Sequence, residues 1–407
     1  MLIRRENYLK ILRQLRDRNL IKVVSGARRV GKSTLLQLFR EELLDGGVAE
    51  NQIQFINFED AKNADFTDWR TLHDQIESKL IDDQMNYIFL DEVQLVNGFE
   101  RLVDSLFIKK NTDIYITGSN AFLLSSELAT LLTGRYFTVH VLPLSFAEYT
   151  ELFPETAKNE LFGQYLNSSS LPEAAHLKAD APELVNKYLL DVYETILKKD
   201  IMVRHEIRDE LNFQRVFRFI LGSVGSFISA RSITDNLNSV LRKGETTISH
   251  HTVDTYIQYM AETFLLYKAD RYDIKGKSIL KTQDKYYAVD LGLRSALVSG
   301  KVDADLGHKL ENLVYLELKR RNIGDIWVGK HGGGEVDFVV QNPAGERFYY
   351  QVAWTAHDTA TLEREITSLS KIRDNFPKFL LTTDPDNSTI DGIRKVNVVK
   401  WLMDQND

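Results

Sequence analysis

The chain has 407 residues, 43% of them hydrophobic and 10% aromatic, and its formal net charge at pH 7 is −7 with histidine neutral. This length predicts two or three domains with cores of their own. The acidic balance excludes a globally basic nucleic-acid coat and leaves room only for a local basic patch, and the lack of cysteine excludes disulfides, cysteine–zinc sites and thiol chemistry.

Met1 to Glu6 carries charges with no apolar run behind them, and no stretch reaches the ~20 apolar residues of a membrane helix. The expectation is a soluble, cytoplasmic protein with no membrane partner. Residues 4–17 read as an amphipathic helix with Tyr8, Leu9, Ile11, Leu12 and Leu15 on its apolar side. It leads into Ile21-Lys22-Val23-Val24-Ser25, a short buried strand.

The next stretch, Gly26-Ala27-Arg28-Arg29-Val30-Gly31-Lys32-Ser33-Thr34, fits the phosphate-loop pattern G-x-x-x-x-G-K-[ST] at every fixed position. A helix from Lys32 to Leu44 follows, with Leu35, Leu36, Phe39 and Leu43 on one face. Strand, glycine loop and helix is the setting such a loop needs. Its backbone N–H groups and the first helical turn point at phosphate oxygens, and the helix dipole favours their charge. Lys32 is expected to reach the β/γ-phosphates and Ser33 to ligate Mg²⁺.

After a strand at Ile53–Phe58 and a polar helix over about Trp69–Leu80, Tyr87-Ile88-Phe89-Leu90 ends in Asp91-Glu92. A buried parallel strand of this kind delivers carboxylates to the carboxyl edge of the sheet. Asp91 is expected to hold Mg²⁺, directly or through water, and Glu92 to act as general base on the attacking water. A further strand, Asp113 to Thr117, ends in Gly118-Ser119-Asn120, where Ser119 or Asn120 can meet the γ-phosphate or the water. Arg135, before the strand Tyr136–Leu142, is either a γ-phosphate sensor, in cis or across an interface, or a solvated turn arginine.

These residues, with Leu132-Thr133-Gly134-Arg135 and Leu142-Pro143-Leu144-Ser145-Phe146-Ala147-Glu148-Tyr149, resemble the AAA-type P-loop ATPases. More narrowly they resemble the bacterial and archaeal ATPases that carry a C-terminal domain of unknown function. The resemblance implies ATP and Mg²⁺ as cofactors; consistent with ATP, there is no Asn-Lys-x-Asp run to read guanine. It also implies a helical lid over residues 145–205, in which Ser168 to Ser170 stand where related sequences often have glycines.

Residues 206–300 read as a winged helix-turn-helix: helices at Phe213–Leu221, Ser229–Leu241 and His250–Thr263, then a hairpin of Phe264–Tyr272 and Ile279–Val289. A polar turn at Lys243-Gly244-Glu245-Thr246-Thr247 precedes the third helix. The hairpin carries Lys268, Arg271, Lys275, Lys277, Lys281 and Lys285 against Asp270, Asp273 and Asp284, a local excess of three positive charges. That wing suits phosphates, but the His-Thr-Asp-Thr-Gln-rich helix offers no arginine for guanine, so DNA and protein partners both stay open.

In residues 301–407 a helix acid (Glu311), a strand acid after Gly332-Gly333-Gly334 (Asp337), and Gln351-Val352-Ala353 on the next strand resemble the PD-(D/E)XK nuclease layout. Carboxylates there bind Mg²⁺ and a lysine helps activate water. Ala353 stands at the lysine position, so the domain is expected to be nuclease-like but inactive.

The expected fold is α/β: a P-loop AAA-type core over 1–144, the lid, the winged helix, and the restriction-endonuclease-like domain. The expected function is ATP binding by Gly26 through Thr34 and Asn120, metal binding by Ser33 and Asp91, and hydrolysis by Lys32, Glu92 and Arg135. An ATP-gated nuclease and a non-catalytic nucleotide switch for protein partners are the alternatives.

Overall fold

The computed structural model describes residues 2–404 except 64, 67, 122–131, 133, 242–245, 299–304 and 333, so Thr133, Lys243-Gly244-Glu245 and Gly333 lie outside the described residues. The chain divides into two compact units, one of Met1–Pro143 with Glu262–Phe264 and one of Leu144–Ala261 with Leu265–Asp407.

The first unit opens with helix α1 (Glu6–Leu15), shorter than the periodicity suggests. Arg5 sets its start: it sits at φ 54°, and its guanidinium donates to the carbonyls of Val30 at 2.9 Å and Leu142 at 2.8 Å. Strand β1 (Ile21–Ser25), helix α2 (Lys32–Asp45), strand β2 (Ile53–Asn57), helix α3 (Trp69–Glu77) and strand β3 (Asn86–Asp91) follow. Helix α4 (Phe99–Phe107), strand β4 (Thr112–Gly118) and strand β5 (Tyr136–His140) complete the described elements. The five strands run parallel in the order β2-β3-β4-β1-β5. β1, β3 and β4 are buried along almost their whole length, as strands covered on both faces must be. The parallel five-stranded α/β sheet is that of a P-loop nucleoside triphosphatase.

Helix α4 has no counterpart in the sequence reading. Its signal was present, since Phe99, Leu102, Val103 and Leu106 recur at helical spacing and all pack into the sheet's core. It starts at Gly98, whose φ of 75° and closeness to Trp69, 2.6 Å from where a Cβ would stand, leave no room for another residue.

At the amino-terminal edge of the sheet, Lys22 of β1 and Asp113 of β4 form a fully buried ion pair, with side chains 0% and 1% exposed. Asp113 Oδ2 accepts from the Tyr115 hydroxyl at 2.8 Å and from the Asp17 amide at 3.0 Å, while Lys22 also donates to the Arg18 carbonyl at 2.9 Å. Burial pulls the Lys22 ammonium down and pushes the Asp113 carboxyl up, each opposed by the attraction of the other.

The second unit begins with helices α5 (Phe146–Thr150), α6 (Lys158–Asn167), α7 (Pro172–Asp180) and α8 (Val185–Thr195). Helices α9 (Glu210–Gly222), α10 (Ala230–Ser239) and α11 (His250–Glu262) precede the hairpin of β6 (Leu266–Asp273) and β7 (Ser278–Ala288). Then come α12 (Leu291–Leu297), α13 (Leu306–Arg321), β8 (Asp325–His331), β9 (Gly334–Gln341) and β10 (Arg347–Ala353). Helix α14 (Thr359–Ser370), strands β11 (Lys378–Thr382), β12 (Ser388–Ile390) and β13 (Ile393–Asn397), and helix α15 (Val398–Met403) end it.

The hairpin does not stand free as an isolated wing would. β6 pairs in parallel with β8, so one mixed sheet runs β12-β13-β11-β10-β9-β8-β6-β7 across the stretch between residues 288 and 325. The serine segment of the expected lid is held by one carboxylate. Asp290 accepts from Ser170 N at 2.7 Å and Ser170 Oγ at 3.0 Å, and it caps α12 through Leu293 N at 2.7 Å. Ser169 packs so closely on Gly292 that a Cβ there would stand 2.3 Å from the Ser169 nitrogen.

The Lys22–Asp113 pair makes the first prediction. Asp113→Asn strands a buried ammonium and should cost about 3–5 kcal/mol in denaturant unfolding of the first unit. A Lys22→Met/Asp113→Leu double variant should recover part of that loss, because it removes both charges. A double variant less stable than the single one would contradict the burial argument.

Candidate functional site

The carboxyl edge of the five-stranded sheet gathers the phosphate loop and the two acids. The loop leaves β1 through Gly26, at φ 147°, where a Cβ would stand 2.2 Å from the Val141 carbonyl oxygen. Arg29 at φ 66° and Gly31 at φ 94° complete the turn into α2. Ala27, Val30 and Lys32 are buried; Arg28 pairs with Glu59 at 2.8 Å. Lys32 folds across the loop, donating to the carbonyls of Gly26 at 3.0 Å and Ala27 at 3.1 Å, and lies 3.6 Å from Glu92 Oε1. Thr34 follows as the second residue after Lys32 in α2, half-buried.

Asp91, 0% exposed, is the centre of the site. Its Oδ1 accepts from Ser33 Oγ at 3.0 Å and Thr117 Oγ1 at 2.6 Å, and its Oδ2 from Asn57 Nδ2 at 2.9 Å. Thr117 also accepts from the Glu92 amide at 2.9 Å, which fixes the turn that puts Glu92 at φ 56°. The Glu92 carboxylate accepts from Ser119 Oγ at 2.9 Å and from Gln94 Nε2 at 2.5 Å through Oε2. Burial pushes both acids up. For Asp91 it prevails over Thr117 and Ser33. For Glu92 the Lys32 ammonium, with the Gln94 and Ser119 hydrogen bonds, outweighs burial and holds the carboxyl below the ordinary range.

The site therefore brings together Gly26 to Thr34, Asp91, Glu92 and Ser119, with Asn120 buried next to Ser119. It does not bring in Arg135. That residue precedes β5, whose first residue is in register with the first residue of β1, so it sits at the opposite edge and pairs there with Asp104 at 2.6 Å. A role in cis is corrected by this placement: the length of a strand separates Arg135 from the loop. Asn57, Thr117 and Gln94 were not anticipated. Their only signals were short polar residues at the ends of β2 and β4 and just past Asp-Glu.

A donor set of hydroxyl and carboxylate oxygens, Ser33 and Asp91 held by Thr117 and Asn57, suits a hard cation such as Mg²⁺. A buried ammonium under a loop of backbone N–H groups suits phosphate. The residues present therefore fit a magnesium–nucleotide.

In the second unit, Glu311 of α13, Asp337 of β9 and Gln351 of β10 line one cavity of ≈ 750 Å³. Ala353 does not join them; it packs among Val336, Val339, Tyr349, Leu369 and Leu380. Lys285 of β7 enters the cavity instead, 2.9 Å from Glu311 Oε1, paired with Glu335, and 3.8 Å from Asp337 Oδ1. Of the hairpin's cations, Lys285 is thus buried among acids and Lys268 pairs with Asp270 at 2.8 Å and Asp284 at 3.0 Å. The side chain of Lys281 lies outside the described residues.

Residues 18–150 match the family model of the AAA domain, and residues 159–304 match that of a domain of unknown function, DUF8612. A protein of Haemophilus influenzae described as uncharacterised is 37% identical over 408 residues, covering 99% of this chain and 99% of its own. The chain belongs to the family of that protein. Another relative in sequence, also described as uncharacterised, comes from Methanocaldococcus jannaschii. It is 28% identical over 369 residues, 87% of this chain and 78% of its own. Among solved structures, the Walker-type ATPase PABY2304 of Pyrococcus abyssi is similar at 16% identity with a TM-score of 0.46, covering 73% of this chain and 96% of that one. Residues 18–150 of this chain are an AAA-type P-loop ATPase domain. Among the described residues no helix is long and apolar enough to cross a membrane.

Thr117→Val keeps the shape of this site and removes the hydroxyl that ties Asp91 to Glu92. It should weaken Mg²⁺-dependent nucleotide binding about 10–100-fold, as loss of a group supporting a metal ligand does, and leave Mg²⁺-free binding nearly unchanged. Titration of a fluorescent ATP analogue with and without Mg²⁺ reads both.

Proposed function

We propose that the chain binds ATP with Mg²⁺ in its first unit, hydrolyses it, and couples the nucleotide state to a partner-binding second unit. The observation that supports this most is the joint placement of Ser33 on Asp91, 58 residues away in the chain, through a hydrogen bond and of Lys32 beside Glu92 through an ion pair. Ser33 and Asp91 would hold Mg²⁺, which would supply positive charge to offset the charge that develops on the phosphates.

The chain's own residues do the rest. The backbone N–H groups of the loop and the first turn of α2 hold the phosphates. Lys32 offers its ammonium to the β/γ-oxygens in place of the Gly26 and Ala27 carbonyls. The Glu92 carboxylate, aimed by Ser119 and Gln94, orients the attacking water and accepts its proton. Asn120, beside Ser119, is assigned to the nucleotide. Arg135 can reach a nucleotide only in a neighbouring subunit.

For the second unit we propose a winged-helix-like module, α9 to β7, joined to a nuclease-like α/β sheet. The face that α11 turns outward carries His250, His251, Asp254, Thr255 and Gln258. With Lys268 and Lys285 neutralised internally, this surface favours a protein partner over a phosphate backbone.

ATP turnover by the full chain, with and without duplex and single-stranded DNA, tests the proposal. Lys32→Ala should abolish nucleotide binding, and Glu92→Gln should bind ATP while turnover falls at least about 100-fold. Turnover in Lys32→Ala equal to that of the unaltered protein would overturn the assignment. DNA stimulation would assign the second unit to DNA, and indifference to DNA would assign it to protein.

A further inference from the structure

Arg135 pairs with Asp104 at the far edge of the sheet, which leaves the nucleotide site without an arginine from that position. The phosphate loop itself carries two. Between Gly26 and Gly31, Ala27 and Val30 turn inward and are buried. Arg29 is exposed at φ 66°. Arg28 is largely covered, its side chain 16% exposed.

Three observations place the Arg28 guanidinium beside the two acids of the site. Its Nη1 donates to Glu59 Oε1 at 2.8 Å. Glu59 sits on the segment that leaves β2 and is anchored there: its amide donates to Asn57 Oδ1 at 2.8 Å, and Asn57 Nδ2 donates to Asp91 Oδ2 at 2.9 Å. Arg28 therefore spans from the loop to the strand end next to Asp91. Its charge also acts on Glu92. Burial pushes that carboxyl up, and Lys32, Gln94, Ser119 and Arg28 together hold it down. The pair with Glu59 is an exchangeable one, because Glu59 is 49% exposed and an ion pair in contact with water holds weakly. A guanidinium fork matches two phosphate oxygens as well as it matches a carboxylate.

We propose that Arg28 is the arginine that meets the terminal phosphate within its own chain, and that Glu59 holds it aside until a nucleotide arrives. The inference rests on the ATP-hydrolysing reading of the first unit. In that hydrolysis the water oxygen bonds to the γ-phosphorus while the bond from phosphorus to the β–γ bridging oxygen breaks. Glu92 takes the proton lost by the water, and ADP and inorganic phosphate are the products. Negative charge gathers on the γ-oxygens and the departing oxygen as this happens. The Arg28 fork leaves Glu59 and donates to those oxygens. It approaches from the Glu59 side, whereas Lys32 approaches from the Gly26 and Ala27 carbonyls. No neighbouring subunit is then needed to supply an arginine.

Calorimetry on the full chain with Mg²⁺ reads binding apart from turnover, using ADP alone and ADP with aluminium fluoride, which together imitate the transferring phosphoryl group. Arg28→Ala should leave ADP affinity within about 3-fold, cut the gain from aluminium fluoride at least about 10-fold, and lower kcat about 1,000-fold, as loss of a charge-stabilising arginine does. Arg28→Lys keeps the charge and loses the fork, so it should recover only part of both. Glu59→Gln removes the holding charge and should keep turnover and the aluminium fluoride gain at or above those of the unaltered protein. Equal losses in Arg28→Ala and Glu59→Gln would make the pair a clamp between the loop and β2 and overturn the proposal. Unchanged turnover in Arg28→Ala, beside an unaltered protein that binds and hydrolyses ATP, would overturn it too and leave the ATP reading standing. An unaltered protein that binds neither ADP nor ATP would overturn that reading and this inference with it.

Discussion

A carboxylate with no exposure to water has to find its hydrogen bonds within the protein, and Asp91 is the residue on which that requirement falls. Its partners come from α2, β2 and β4, so they converge only if those elements hold one register. Asn57 lies directly beside Asp91 in the β2–β3 ladder. Thr117 is reached because Leu90 and Ile116 are paired in the β3–β4 ladder. Ser33 arrives because Ser25 and Gly118 end their strands together and release the loop at the same height. Slipping any of these pairings by one residue would turn the partner to the other face. The hydrogen bonds that make Asp91 tolerable are those that aim it at the phosphate loop, so fold and site answer to one constraint.

The local half of this was legible. Glycine spacing, the apolar run before Asp91 and the helical periodicity of α2 are properties of short segments, and the strands and helix they predict are found as β1, β3 and α2. What was not legible depends on strands brought together from far along the chain. Nothing near Asn57 or Thr117 marks them as supports of Asp91 until the order β2-β3-β4-β1 is known. The cis reading of Arg135 turns on the same kind of information, because a turn arginine before a strand looks alike at either edge of a sheet. Helix α4 is a different case: its periodicity is local, Phe99, Leu102, Val103 and Leu106 at helical spacing.

The second unit shows how far long-range pairing alters the meaning of a residue. By sequence, Lys285 is one of six cations on a hairpin and Ala353 is a missing catalytic group. The parallel pairing of β6 with β8 joins the hairpin to the sheet, and Lys285 becomes a buried neighbour of Glu311. A charge count over a hairpin treats its cations as solvated. Here two of the six are spent inside the unit, so the count overstates what remains for a partner.

The two edges of the five-stranded sheet contrast in charge. At the amino-terminal edge Lys22 and Asp113 balance one for one, and Tyr115, Asp17 and Arg18 take up their remaining hydrogen bonds; such a cluster is closed and structural. At the carboxyl edge one buried ammonium, Lys32, faces two buried carboxylates, Asp91 and Glu92. Uncompensated buried charge is costly, and burial at this edge pushes the Asp91 carboxyl up while Lys32 holds that of Glu92 down. The imbalance separates the proposed nucleotide site from the closed ion pair of the Lys22 edge, and it does so without appeal to any motif.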